Sequence, residues 1–548
     1  DHREERTMLN LTRQEIDALC ERGSNRGANK QIIGDDYDKD LAVKCQNGTF
    51  VGQKESGILT WKGIPFAKPP VGNLRFMAPV KPDDSDDVFE AYNYSKTPAN
   101  LLEPKEHNSE DCLYLNIFTG DDGASNKPVM VWIHGGAFIV ESASEIHYRG
   151  ESFTAVNPDI VLVSIEYRLG LFGFTDFEGV PGSQPDTANN ALRDQIAALK
   201  WINENIAGFG GDPGNVTIFG ESAGGISAAL LPLAEEAKGL FQKTIIQSGA
   251  PGTLGSPGKT KKAAKALSDV FGVSTMEEMQ KISFEDIMAH AGELSAACPA
   301  FGPSASGVLI PEDPYKAYAE GKASHVQVLV GSNADECRYF IARLKVNGEV
   351  GNEKAFLPWM QTRYDMLKKL MTPEEIEIAD KYIASVGESE AFSIEKLMSD
   401  LSFGVGSRIT AENASKSGDA YLYYFAYPSN KYPVYAAHGA EIAFVFNKDG
   451  EYINRVGDCD GARRHVQELW TSFAKTGVPT IDGVPCKKFD NKDKSVIVFG
   501  REGEVFQQDG YLEDIDKYTR SLAKFESPAI LMNFAPPFED YFKFGILG

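Results

Sequence analysis

The feature that most narrows the folds open to this chain is residues 216–233, VTIFGESAGGISAALLPL. A β-branched strand, Val216 to Phe219, runs directly into Gly220-Glu221-Ser222-Ala223-Gly224, and a small-residue helical pattern follows. A turn from strand to helix over so few residues leaves no room for side chains at its flanks, which accounts for glycine at 220 and 224. Such a strand–turn–helix lifts the Ser222 hydroxyl above the carboxyl edge of a sheet. It also aims the first N–H groups of the helix, and the positive end of its dipole, at the same point. The chain contains one Gly-x-Ser-x-Gly, and it stands in this context.

A serine hydroxyl is barely nucleophilic by itself and needs a base, a group that orients the base, and donors for the oxyanion. Residues 127–133, KPVMVWI, read as a buried strand and lead into His134-Gly135-Gly136-Ala137-Phe138. Glycines here let backbone N–H groups approach a ligand, so Gly135, Gly136 and the residue after the nucleophile, Ala223, are the expected oxyanion donors. His134 reads as a loop-shaping residue and not as the base. In the chain order serine, acid, histidine, four histidines follow Ser222: His290, His325, His438 and His465. The first lies in a helical run, the second precedes a strand, and the last sits in a helical stretch beside two arginines. His438, in the loop YPVYAAHGAEIAFVF after the strand AYLYYFA, is the expected base. The acid should follow a strand, and VQVLVG leads into adjacent Asp335 and Glu336, between which the residues alone do not choose.

Further segments carry a resemblance. GIPFAKPPVGNLRF (63–76), SEDCLYLNIF (109–118), VWIHGGAF (131–138), YRLGLFGF (167–174), residues 191–225, GSNADE (331–336), HGAEIAFVF (438–446) and WTSFAKTGVP (470–479) occur in order. From about residue 42 to the C-terminus the chain resembles the type-B carboxylesterases, α/β-hydrolases that include cholinesterases and p-nitrobenzyl esterases. The resemblance implies Ser222 as nucleophile, His438 as base and Glu336 over Asp335 as acid. It also implies Gly135, Gly136 and Ala223 as oxyanion hole, and no cofactor or metal. Glu221 and Ser248 are expected to support the triad without reacting. Some departures stand out. Cys112 has no cysteine a few tens of residues upstream with which to close the disulfide of secreted relatives. The loop 77–108 has no tryptophan of the kind that holds a quaternary ammonium by cation–π attraction. Glu166 stands where the family commonly has asparagine, and Cys337 where it commonly has glycine.

The expected architecture is a mostly parallel, doubly wound sheet with flanking helices and large helical inserts at about 252–322 and 340–415. Strands are expected at 127–133, 160–166, 215–219, 243–247, 326–331, 420–426 and 495–499, separated by helical runs such as ALRDQIAALKWINENI. Residues 42–548 form the expected catalytic domain. Residues 1–41 stand outside the resemblance, and LTRQEIDALCERG among them has the pattern of a short amphipathic helix that packs on the body. A net charge of −23 argues against nucleic acid and anionic membranes as partners. No run of 18 apolar residues suits a membrane span. Seven widely spaced cysteines do not form a disulfide framework and suit a reducing, cytoplasmic compartment, secretion staying open if a leader has been removed. The expected partner is a small uncharged ester, acted on by a monomer or weak homo-oligomer. Two other readings share these motifs: a non-catalytic adhesion member, and an amidase, lactonase or carbamate hydrolase with the same triad.

Overall fold

Runs such as KPVMVWI and VLVSI carry apolar side chains at nearly every position. Strands of that kind are stable where both faces are covered, as in a parallel sheet between helices. The computed structural model describes residues 8–102, 105–252, 257–339, 345–346, 349–350, 353–428, 435–448 and 460–526. Two compact units are present: residues 1–244 with 254–314, and residues 245–253 with 315–548.

In the first unit, six strands of the main sheet are β1 (Gln53–Glu55), β2 (Ile58–Pro65), β3 (Tyr114–Gly120), β4 (Lys127–Ile133), β5 (Val161–Ile165) and β6 (Gly211–Glu221), in the order β6-β4-β5-β3-β2-β1. β6, β4 and β5 are parallel; β3, β2 and β1 join antiparallel. The register sets Ile133 opposite Gly220, so the chain leaves β4 and β6 at the same level. Helix α1 (Asn190–Asn205) is tied to the segment after β5 by a buried pair: Arg168 Nη2 and Nε reach the two oxygens of Asp194 at 2.7 and 2.8 Å. Arg75 and Glu110 make a second buried fork at 2.5 and 2.6 Å, joining two of the motifs that carry the resemblance. The helix Arg13–Arg22 opens with a Thr12–Glu15 capping box and buries Ile16, Leu19 and Cys20 with Ile58 and Ala155, so the extension packs on the body.

β7 (Lys243–Gln247) carries the chain from the first unit into the second. There β8 (Gln327–Asn333), β9 (Ala420–Phe425) and β10 (Ser495–Phe499) lie parallel, with β11 (Val505–Asp509) antiparallel at the edge. Helices Glu353–Lys368, Pro373–Val386, Glu390–Ser399 and Val405–Ala414 build the wall of this unit over a core that includes Met360, Leu367, Ile394, Leu397 and Leu401. The other insert is likewise helical, with Lys261–Phe271, Met276–Lys281, Phe284–Ala289 and Ala291–Ala297. All seven strands expected from apolar runs are present, while β1, β2, β3 and β11 were not among them. Strand β3 shows why. It carries Asn116 into the core, where Oδ1 accepts the Gly63 N–H and Nδ2 donates to Ser164, so polar composition conceals a buried strand.

Candidate active site

The first unit builds a nucleophile elbow. β6 ends at Glu221, helix α2 spans Ala223–Leu230, and Ser222 joins them at φ +56°, ψ −118°, a conformation L-residues rarely adopt. A Cβ at Gly224 would overlap the Ile133 carbonyl, and one at Gly220 would crowd Gly224 and Ile133, so both glycines are required by closeness of backbone to backbone. The Ile226 N–H bonds the Ser222 carbonyl at 2.8 Å, which starts the helix at once.

The register of β4 with β6 sets the loop after Ile133 beside that turn. A Cβ at Gly135 would stand 3.1 Å from the Glu221 carbonyl oxygen and 3.5 Å from the Ser222 Cβ, so glycine lets the loop close on the serine. Gly136, Ala137 and Phe138 all have positive φ, at 90°, 55° and 64°. Three successive left-handed residues turn the backbone sharply and are a strained arrangement for the two that carry side chains. His134 is fully buried, stacks on Tyr167 and holds its Nδ1 3.0 Å from the Gly135 carbonyl. Burial drives its ring pKa down to about 3, against the opposing pull of that bond. The structure thus brings Ser222, Glu221, Ala223, Gly135 and Gly136 together.

The second unit joins an imidazole to a carboxylate. His438 Nδ1 lies 2.7 Å from Glu336 Oε2, and the His438 N–H bonds the Glu336 carbonyl at 3.1 Å. The other carboxylate oxygen accepts the Ser248 hydroxyl at 2.6 Å and the Asn333 N–H at 2.7 Å. Three partners on two oxygens fix the position of the fully buried Glu336 carboxylate. Asp335 faces elsewhere: it meets Lys396, Arg338 and Arg501. Burial would raise its pKa, but those three cations outweigh burial and hold it below the usual carboxylate range. The histidines set aside are elsewhere as well: His290 sits between two short helices, His325 precedes β8, and His465 pairs with Asp482.

Several contributors belong to no catalytic motif in the sequence. Phe403 stacks on the His438 ring, centroids 4.4 Å apart and planes at 25°, from a π-helical turn over Asp400–Gly404. The sequence offers the apolar Leu309, Phe340, Phe403 and Trp359 of the helical inserts as pocket walls or as core; Leu309 is buried, Trp359 packs partly against the helical core, and Phe340 lies outside the described residues. Asn333 and Gln247 donate to the two oxygens of buried Glu441 at 2.6 and 2.9 Å, and Trp470 donates to Gln247 at 3.0 Å. Among the described residues no cluster of His, Cys, Asp or Glu has a metal-binding arrangement.

A strained serine between a parallel strand and a helix, a glycine loop at the adjacent strand end and an imidazole–carboxylate couple after later strands mark the α/β-hydrolase class. Matching solved structures have this fold. One is a PNB esterase, 33% identical, with TM-score 0.74, covering 87% of this chain and 99% of its own. Another is the Geobacillus stearothermophilus carboxylesterase EST55, 30% identical, with TM-score 0.76 and the same coverage. Residues 39–515 match the model of the carboxylesterase family, and the chain belongs to that family. It is 36% identical over 483 residues to the para-nitrobenzyl esterase of Bacillus subtilis strain 168, covering 84% of this chain and 95% of that protein. It is 31% identical over 465 residues to the cocaine esterase of Homo sapiens, covering 78% and 81%. The protein is accordingly a carboxylic ester hydrolase.

Proposed function

We propose that the chain hydrolyses uncharged carboxylic esters by two-step acyl transfer, with Ser222 as nucleophile, His438 as base and Glu336 as orienting acid. The observation that carries this reading is Ser222 itself, held at φ +56° between two glycines that admit no Cβ. Nothing in packing requires a strained serine there, whereas exposing a nucleophile above a helix N-terminus does. His438 takes the Ser222 proton as the oxygen attacks the ester carbonyl. The Glu336 carboxylate accepts the Nδ1–H, selects the tautomer and stabilises the imidazolium. The tetrahedral oxyanion is met by the N–H groups of Gly135, Gly136 and Ala223, each contributing about 2.7–4 kcal/mol of transition-state stabilisation by comparison with other such donors. The alcohol leaves with the proton from His438, and water then hydrolyses the acyl-enzyme by the same route.

Ser248 supports Glu336 from behind, and Glu221 shapes the field beside the nucleophile. The described cysteines are buried thiols outside any disulfide, which suits a reducing compartment and supports a cytoplasmic location. No described helix is long and apolar enough to cross a membrane. The test is a burst-and-turnover assay with p-nitrophenyl acetate, butyrate and octanoate and a p-nitrobenzyl ester, on wild type and Ser222→Ala. A stoichiometric burst followed by turnover, both absent from the variant, is expected. A folded wild type with neither would sink the reading.

A further inference from the structure

The loop that carries Gly135 and Gly136 is fastened along its length to residues 166–170. Tyr167 donates its hydroxyl to the His134 carbonyl at 2.7 Å and lays its ring on the imidazole, centroids 4.3 Å apart. The Gly170 N–H bonds the Phe138 carbonyl at 2.7 Å. Glu166 reaches both ends of the loop: Oε2 accepts the Ala143 N–H at 3.0 Å and lies 3.6 Å from His134 Nε2. His134 and Glu166 are 0% and 1% exposed.

The protons of this pair follow from its neighbours. His134 Nδ1 faces the Gly135 carbonyl oxygen, which can only accept, so Nδ1 carries hydrogen. Nε2 then offers Glu166 a lone pair if the ring is neutral, or an N–H if it is charged. A buried carboxylate opposite a lone pair is repelled and unsolvated. One proton between them makes either an acid O–H directed at Nε2 or an imidazolium facing a carboxylate, and each of these attracts across the 3.6 Å. We propose that Glu166 is a positioning residue of the oxyanion loop, holding Ala143 by its N–H and His134 by a single proton kept between the carboxyl and Nε2. The proposal rests on the reading of Gly135 and Gly136 as oxyanion donors.

The charged and titratable groups around Glu166 are Arg26 and Glu145, themselves 3.7 Å apart, with Cys112 and Tyr167. Burial dominates, with the Ala143 N–H and Arg26 opposing it and Glu145 adding to it, and raises the Glu166 carboxyl to about 8. The shared proton is therefore present below that pH and leaves above it. Its loss sets a carboxylate against the Nε2 lone pair, and the loop loosens under Gly135 and Gly136.

The test compares wild type, Glu166→Gln and Glu166→Leu across pH with p-nitrophenyl butyrate, beside infrared difference spectra of wild type minus E166Q. Glutamine keeps the length of the acid and does not titrate, but the Ala143 N–H and His134 Nε2 face the same oxygen, Oε2, so its carbonyl or its amide nitrogen serves one of them and not both. Wild-type kcat should fall at least about tenfold through an ionisation near 8, with KM little changed. E166L should be low at every pH. E166Q should stand between E166L and wild type and show no alkaline limb. A carboxylic-acid C=O band should be present at neutral pH and fade along the same limb. An alkaline limb that persists in E166Q, or a wild type without the band, would overturn the proposal. If neither variant folds, the band and the kcat limb of wild type, titrated together or apart, decide the matter. A wild type without an acyl-enzyme burst overturns the oxyanion reading itself, and is distinct from an intact burst with an unaltered limb.

Discussion

Asp335 and Glu336 are neighbours in sequence with opposite work, because the backbone turn after β8 points one carboxylate at three cations and the other at an imidazole. Glu336→Gln should lower kcat by roughly 10⁴ with little change in thermal midpoint, since an amide in that place favours the wrong histidine tautomer. Asp335→Asn should do the reverse. It leaves buried Arg338 and half-buried Lys396 against a weaker partner and should cost about 3–5 kcal/mol of stability, seen in denaturant unfolding, with kcat nearly kept in the folded fraction. Equal effects of the two substitutions on kcat would refute this division. Of the pair, the sequence pattern showed that a carboxylate was available. Choosing between them needed either the family resemblance or the turn geometry.

Among the elements, the elbow and the π-helical turn differ in how openly they are written. The elbow is visible in sequence because backbone closeness excludes side chains, and glycine is the one residue that satisfies this. Gly224→Ala should separate α2 from the end of β4, lower the melting temperature and abolish the burst while leaving Ser222 and His438 in the chain. A normal burst in that variant would show that the turn tolerates a Cβ. The π-turn over Asp400–Gly404 has no comparable signal, since an extra residue in a helix excludes no residue type. Its effect is to lay Phe403 on His438. Phe403→Ala should release the ring and reduce kcat about 2–10-fold, the equivalent of one aromatic contact, measurable with p-nitrophenyl butyrate. Strands β4 and β5 were legible because they are apolar throughout. Strand β3 was not, because Asn116 is satisfied by partners distant in sequence.

For the whole molecule, charge sets how stability responds to solution conditions. Buried Glu526, with Tyr315 donating to it, is raised by burial to about 7, and Glu166 to about 8. The folded chain holds these protons between the ordinary carboxylate pKa of about 4.3 and those values, while the unfolded chain has released them. Stability therefore falls as pH rises through that window. Asp335 acts with the opposite sign at the acid end, where its lowered pKa means that stability is lost as pH falls through it. Calorimetry should show the melting temperature rising from about pH 8 to about pH 5.5. At neutral pH, added salt should raise it as well, by screening the self-repulsion of a net charge of −23. A midpoint that climbs with pH over the same range would contradict the assignment of protons to Glu166 and Glu526.

The sequence by itself determined the elements whose requirements are local: uniformly apolar parallel strands, the amphipathic helices between them, and a serine turn flanked by glycines. Those follow from backbone sterics and burial, which act over a few residues and so leave a readable pattern. Tertiary structure alone decided that Phe403 covers the His438 ring and that Glu166 lies against His134 Nε2. Each of those is a meeting of side chains from segments separated along the chain, and strand register and turn geometry decide which of the available side chains meet.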